Sequence, residues 1–282
     1  MAHVLADIFI QASEELANDP RRTGSLVTLP EKTEVILAGD LHGSRRNLAK
    51  ILDYADLEHH PERVLILQEI IHGEDDPITG HDRSIEPLMR AVRDMRKHPE
   101  QVVFLLGNHD IAQLTGNEIT KSGRGSCKAF NQGLQYEFED KAEEISQALE
   151  KFLYAMPLAA KCGPVLMSHS LPHPSRMELA GTDILDREYS FEDLRRGGPV
   201  YEWTWGRDQT PGQLDQLADQ LGVEYFILGH RHVEQGYEPI GQLAVTVASD
   251  HSHGVIVQFT GQHPPNGQTI KKHILRINAL GA

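Results

Sequence analysis

An α/β fold is predicted from three observations on this sequence. Short apolar runs end abruptly in polar residues, helical stretches lie between several of those runs, and 282 residues at 39% hydrophobic and 24% charged content match a globular chain. Continuous apolar runs suit strands buried on both faces, and open α/β sheets hold ligands beyond the carboxyl ends of such strands. Residues 1–282 are therefore expected to form a single domain with a sizeable core.

At the start, Val4, Leu5, Ile8, Phe9, Ala12 and Leu16 recur at near-helical spacing. Asp7, with no basic stretch before it, argues against a signal peptide and makes the cytoplasm the expected location. Residues 34–38 read as a strand running into Gly39-Asp40-Leu41-His42-Gly43, ahead of a helix over 45–56. A second run, 64–67, ends in Gln68-Glu69, and a polar loop over 72–82 leads to a helix near 85–97. A third, 102–106, ends in Gly107-Asn108-His109-Asp110. Residues 115–134 are glycine-rich and polar, whereas 137–152 carry the mixed charge and apolar period of a helix.

Three later strands, 165–167, 225–228 and 243–248, end in Ser168-His169-Ser170, Gly229-His230-Arg231-His232 and Ser249-Asp250-His251-Ser252-His253. Segment 178–213 is the least regular and is expected to be a loop insertion near the site. Its Trp203 and Trp205 are expected to pack a core edge, and His251 and His253 to face solvent.

A formal charge of −14 without a Lys/Arg stripe disfavours a nucleic-acid duplex or an anionic membrane surface as partner. No run approaches the ~18–20 apolar residues that cross a bilayer. Cys127 and Cys162 form no CxxC pair and read as free thiols. A phosphate-bearing ligand then needs a local positive charge, and 16 histidines point to bound metal as its source.

Seven residues at five strand ends have the right chemistry: Asp40, His42, Glu69, Asn108, His169, His230 and His232. A binuclear hydrolytic site needs such a mix of hard oxygen and borderline nitrogen donors. One carboxylate is shared between metals ~3.5–4 Å apart, and one position stays open for water. Turn capping explains any one of these residues, but not the set.

The chain reads GDLHG at 39–43, QE at 68–69, GNHD at 107–110, SHS at 168–170 and GHRH at 229–232. In type and order these elements resemble the signature of the calcineurin-like metallophosphoesterase superfamily. Ser84-Ile85-Glu86, Trp205-Gly206-Arg207-Asp208 and Glu234-Gln235-Gly236-Tyr237 are similar to its phosphoprotein phosphatase branch. The resemblance implies two packed mixed sheets flanked by helices, with the metal site at strand C-terminal ends. It also implies a metal-dependent phosphatase that hydrolyses phosphomonoesters, phosphoserine and phosphothreonine in proteins included, by in-line attack of a metal-bridging hydroxide.

By position, the resemblance puts Asp40, His42 and His232 at one divalent metal, Asn108, His169 and His230 at a second, and Glu69 between them. Manganese is the expected ion, with iron or zinc as alternatives. His109 would be the general acid, with Asp110, Asp75 or Asp76 to orient it, and Arg45, Arg207 and Arg231 are candidate phosphate clamps. A phosphorylated protein or small molecule is the implied partner.

Three residues depart from the family pattern, and the arginine of the family's DRG triplet is missing at the equivalent spot. Gln68-Glu69 stands where Gly-Asp is usual; glutamate keeps the carboxylate but adds a methylene. His72 stands where phosphoprotein phosphatases place the aspartate that orients the acid, which weakens that dyad. Two alternatives therefore stay open: a dinucleoside polyphosphate hydrolase or phosphodiesterase of the same fold, and a catalytically weak metal-binding module.

Overall fold

Strands that are apolar on both faces need cover on both sides, and this chain supplies a second sheet on one side and helices on the other. The computed structural model describes residues 2–121 and 123–281; Met1, Ser122, Ala282 and the side chains of Ala2, His3, Val4 and Lys121 lie outside the described residues. The first half contains α1 (Ala2–Ala17), β1 (Arg22–Thr23), β2 (Leu26–Leu29), β3 (Glu34–Ala38), α2 (Arg45–Ala55), β4 (Arg63–Gln68), α3 (Ile85–Lys97) and β5 (Val102–Leu105). There follow α4 (Asn108–Thr115), β6 (Thr120–Lys121), β7 (Arg124–Gly125), α5 (Ser126–Phe138), α6 (Ala142–Tyr154), β8 (Ala159–Cys162) and β9 (Val165–Ser168). Last come α7 (Met177–Ala180), α8 (Pro199–Trp205), α9 (Pro211–Leu221), β10 (Tyr225–Leu228), β11 (Tyr237–Ile240), β12 (Ala244–Val247), β13 (Val255–Thr260) and β14 (Ile274–Arg276).

One sheet has the order β14-β13-β3-β4-β5 and the other β1-β2-β8-β9-β10-β12-β11. In the first, β3, β4 and β5 are parallel and β13 runs against β3. In the second, β9, β10 and β12 are parallel, while β8 runs parallel to β2 but against β9, and β11 runs against β12. The α/β class and the two mixed sheets flanked by helices are thus as predicted.

Alternation along each strand divides the core. Val35, Leu37, Ile66 and Leu105 pack with Met167, Ile227 and Val247 between the sheets. Their neighbours Ile36, Leu65, Leu67 and Phe104 join Phe9, Leu48, Leu88 and Phe152 of the covering helices. Each such side chain contributes about 1.5–3 kcal/mol by leaving water, so a charge in any of these runs would cost more than a surface change. A parallel bridge between Asp40 and Ala248 joins the two sheets at the ends of β3 and β12.

Within residues 115–134, read from sequence only as glycine-rich and polar, α5 begins at Ser126. Gly133 lies inside that helix. In the fold, a Cβ there would collide with the backbone carbonyl of Asp82, so the glycine marks where the helix touches the loop over 72–82. The helical stretch expected at 137–152 divides between the end of α5 and α6. Segment 178–213 folds largely as short helices, with Trp203 fully buried and donating Nε1–H to Gly181 O at 2.8 Å. Trp205 stacks on Tyr201. Among the described residues, no helix is long and apolar enough to cross a membrane, and both cysteines are free and buried.

Candidate active site

The loops leaving the parallel strands turn sharply. His42, Glu69, His72 and His230 hold φ values of 39°, 41°, 62° and 68°, which side-chain-bearing residues seldom adopt and which concentrate at functional sites. Backbone hydrogen bonds keep two of these turns together: the N–H groups of Leu41 and His42 both donate to Glu69 O, at 3.1 and 2.8 Å.

Three donors from different strand ends converge. Asn108 Oδ1 lies 2.8 Å from both His169 Nε2 and His230 Nδ1, and those nitrogens are 3.1 Å apart. Glu69 Oε1 is 3.4 Å from His169 Nε2, while its Oε2 is 3.6 Å from His42 Nε2, which is itself 3.9 Å from Asp40 Oδ2. One carboxylate thus presents an oxygen to each half of the site. The added methylene of Glu69 fits because position 107 is glycine; a Cβ there would collide with Glu69 Cγ.

Gln68 takes part as well. Its Nε2 donates to Ala38 O at 3.1 Å, which turns Oε1 toward His169 Nδ1 at 3.0 Å. An amide oxygen only accepts, so Nδ1 carries the hydrogen and Nε2 faces Asn108 and Glu69 with its lone pair.

Burial dominates the electrostatics. It raises Asp40 to about 7 and lowers His230 to about 3, with Arg207 adding to the second effect; burial and then His230 hold His169 well below the usual histidine range. Neutral imidazoles are the metal-binding form, and a nearby cation would return Asp40 to carboxylate. Divalent metals fit this set on donor chemistry: Asp40, Glu69 and His169 bring ligand atoms within 4.8 Å of one another, and so do His42, Glu69 and His109.

His109 opens α4 beside this centre. Its N–H donates to Glu69 Oε1 at 2.6 Å, and its ring meets that of His42 edge-on at 4.7 Å. His109 Nδ1 lies 2.9 Å from Nδ1 of His72, whose Nε2 is 3.1 Å from Gln113 Oε1. The residues expected to orient His109 are engaged differently: Asp110 Oδ2 accepts Gly107 N–H at 2.9 Å, Asp75 pairs with Arg124, and Asp76 pairs with Arg45.

The family model for calcineurin-like phosphoesterases matches residues 33–234, most of the chain and all of these donors. The chain belongs to that family. No curated protein matches it. A yeast (Saccharomyces cerevisiae) protein serine/threonine phosphatase with similarity to human PP5 has a similar structure, with TM-score 0.70 at 14% identity over 98% of this chain and 88% of that one. A cold-active protein-tyrosine phosphatase of a psychrophilic Shewanella has TM-score 0.57 at 15% identity, over 87% of this chain and 79% of that one. At such identities the likeness concerns the fold. Family membership makes the chain a metal-dependent hydrolase of phosphorylated substrates.

In this phosphoesterase only one of the three predicted arginine clamps touches the donor cluster. Arg207 Nε lies 3.0 Å from His230 Nε2. Arg45 lines a cleft of about 560 Å³ opening beside His42, but is paired with Asp76 at 3.2 Å and Glu86 at 2.6 Å. Arg231 pairs with Glu238 at 2.8 Å. His232 is exposed and groups with Asp250 and His251 on the cleft wall, not with Asp40 and His42. His251, expected to face solvent, is half-buried there and lies 3.0 Å from Val233 O through Nε2; His253 is exposed.

Sequence reasoning passed over Gln113 and gave Gln68 and His72 no part in the site. Gln68 and His72 were visible only as departures from the family pattern. Gln113 carries a weak local signal, standing four residues after His109 on the same helical face.

Proposed function

We propose that this phosphoesterase is a two-metal phosphatase that hydrolyses phosphomonoesters, phosphoserine and phosphothreonine in proteins included, with manganese as its ion. The observation that carries this reading is the Glu69 carboxylate, with one oxygen toward His42 and the other toward His169. When bound, the two cations lower the pKa of water and neutralise phosphoryl oxygens. The chain's own residues do the rest. Asp40, His42 and Glu69 would hold one ion, and Asn108, His169 and His230, with Glu69, the other. Arg207 supplies a guanidinium for a phosphoryl oxygen, and His109 gives a proton to the leaving oxygen.

The cleft charges favour a monoester over an extended polyphosphate. Arg45 and Arg83, which line it, are both ion-paired: Arg45 with Asp76 and Glu86, Arg83 with Glu86 and Glu137. A chain of further phosphates would find these cations already neutralised, and Glu74, Asp75 and Asp250 along the same walls.

Residues 1–282 act as one unit in this reading, with 178–213 as an insertion tied to the site where Ser170 Oγ donates to Gly206 O at 2.6 Å. Free, buried cysteines support a cytoplasmic location.

The test is hydrolysis of para-nitrophenyl phosphate by metal-stripped protein with and without manganese, beside His109→Ala, with bound metal counted. Metal-dependent turnover with two ions, lost in the variant, supports the reading. Two ions without turnover would move the substrate to phosphodiesters or dinucleotides, and one ion or none without turnover would indicate a binding module.

A further inference from the structure

His109 is met at Nδ1 by a second imidazole, and the groups behind that ring decide where each hydrogen sits. Gln113 Nε2 donates to Asn131 Oδ1 at 2.8 Å, which turns Gln113 Oε1 toward His72 Nε2 at 3.1 Å. Because the amide oxygen only accepts, His72 Nε2 carries hydrogen. His72 is 2% exposed and meets Phe130 edge-on at 5.6 Å, surroundings that disfavour a second proton on its ring. Its Nδ1 is then an acceptor, and His109 Nδ1, 2.9 Å away, is the donor.

We propose that His72, held by Gln113 of α4 and Asn131 of α5, is the positioning residue of His109: it fixes the ring's rotation and keeps hydrogen on Nδ1, so that Nε2 serves the leaving group. The inference rests on reading His109 as the acid. In that step the imidazolium form of His109 gives up its Nε2–H, and a hydrogen–oxygen bond forms on the leaving group. The ester P–O bond breaks with its electron pair passing to the leaving oxygen, as a bond from the attacking water oxygen to phosphorus takes its place. His109 ends neutral with hydrogen on Nδ1, the tautomer that His72 accepts. A carboxylate would do the same positioning while adding a charge; the imidazole pair positions without one.

Two readouts test the relay. In the metal-free protein, ¹⁵N shifts of the His109 ring should report the Nδ1–H tautomer, and Gln113→Leu, which keeps the volume but removes the acceptor, should mix the tautomers. With manganese bound, His72→Ala and Gln113→Leu should each lower kcat on phenyl phosphate, a poor leaving group, by about tenfold or more. The loss on para-nitrophenyl phosphate, whose leaving group needs little protonation, should be much smaller. KM should be unchanged on both. His72→Asp, which restores an acceptor, should recover most of the phenyl phosphate activity. Equal losses on the two substrates, or an Nε2–H tautomer in the wild type, overturn the proposal. If the wild type hydrolyses neither ester, the phosphatase reading fails, while the ¹⁵N result still decides the relay.

Discussion

Gln68 and His169 are joined by a 3.0 Å hydrogen bond that leaves Nε2 of the imidazole facing Asn108 and Glu69. The glutamine replaces a glycine of the family pattern, and its second contact, to Ala38 O, fixes which end of the amide faces the ring. Outer groups of this kind are worth about 10–100-fold in metal affinity. Gln68→Leu should therefore weaken manganese binding by about that factor, read by titration calorimetry on metal-stripped protein, whereas Gln68→Glu, still an acceptor, should lose far less. Equal affinities for Leu and Gln would leave the glutamine a space-filler.

Glu69 and Gly107 should be interdependent. Glu69→Asp withdraws the carboxylate by about one C–C bond, ~1.5 Å, from two groups now at 3.4 and 3.6 Å. Bound metal should fall below two per chain and turnover should drop about tenfold or more. Gly107→Ala should cause a similar loss from the opposite side, because its methyl would occupy the place of Glu69 Cγ. Elemental analysis with steady-state rates checks both, and undiminished metal content in Glu69→Asp would remove position 69 as the bridge.

Arg207 occupies the far nitrogen of His230, with Nε 3.0 Å from Nε2. A guanidinium only donates, so this contact requires the Nδ1–H tautomer, whereas metal at Nδ1 requires hydrogen on Nε2. A hydrogen on Nε2 would end this contact and leave Arg207 to donate to a phosphoryl oxygen. Arg207→Gln should raise KM for a phosphomonoester about tenfold, the equivalent of one charge-assisted hydrogen bond, without lowering manganese affinity. A weakened metal site with unchanged KM would contradict this.

Asp193 contributes to acid stability away from the site. Arg187 grips both of its oxygens at 2.9 and 2.8 Å, and Ser190 donates N–H and Oγ–H to Oδ2, so its carboxyl lies well below the usual carboxylate range. A depressed folded-state pKa gives stability that is complete above the unfolded value near ~4 and is lost as pH falls from there through the folded value. Arg187 is partly exposed, which reduces the contribution to about 1 kcal/mol. Asp193→Asn should lower unfolding free energy by that amount at pH 7, and the gap from wild type should close below about pH 4 in urea titrations. A gap independent of pH would assign the loss to packing.

The strand ends were legible because apolar runs and the polar residues that stop them are local features. Asp40, Glu69, Asn108, His169 and His230 each follow such a run directly or within two residues, so their convergence could be anticipated. The structure handles His232 differently: it ends the same kind of run as His230, but the chain turns at His230, φ 68°, and carries His232 to the cleft wall. Helix α5 was hidden because Gly133 serves a contact with Asp82 that lies far away in sequence.

Residue type and apolar period by themselves determined the α/β class and the presence of oxygen and nitrogen donors at strand ends, since these depend only on neighbours along the chain; the order of the motifs carried the family resemblance. Only the packing of two sheets against each other decided which carboxylate oxygen faces which imidazole, and that His72 rather than an aspartate meets His109. Hydrogen-bond direction depends on placement to a few tenths of an ångström between strands and helices tens of residues apart, and that placement exists only in the folded state.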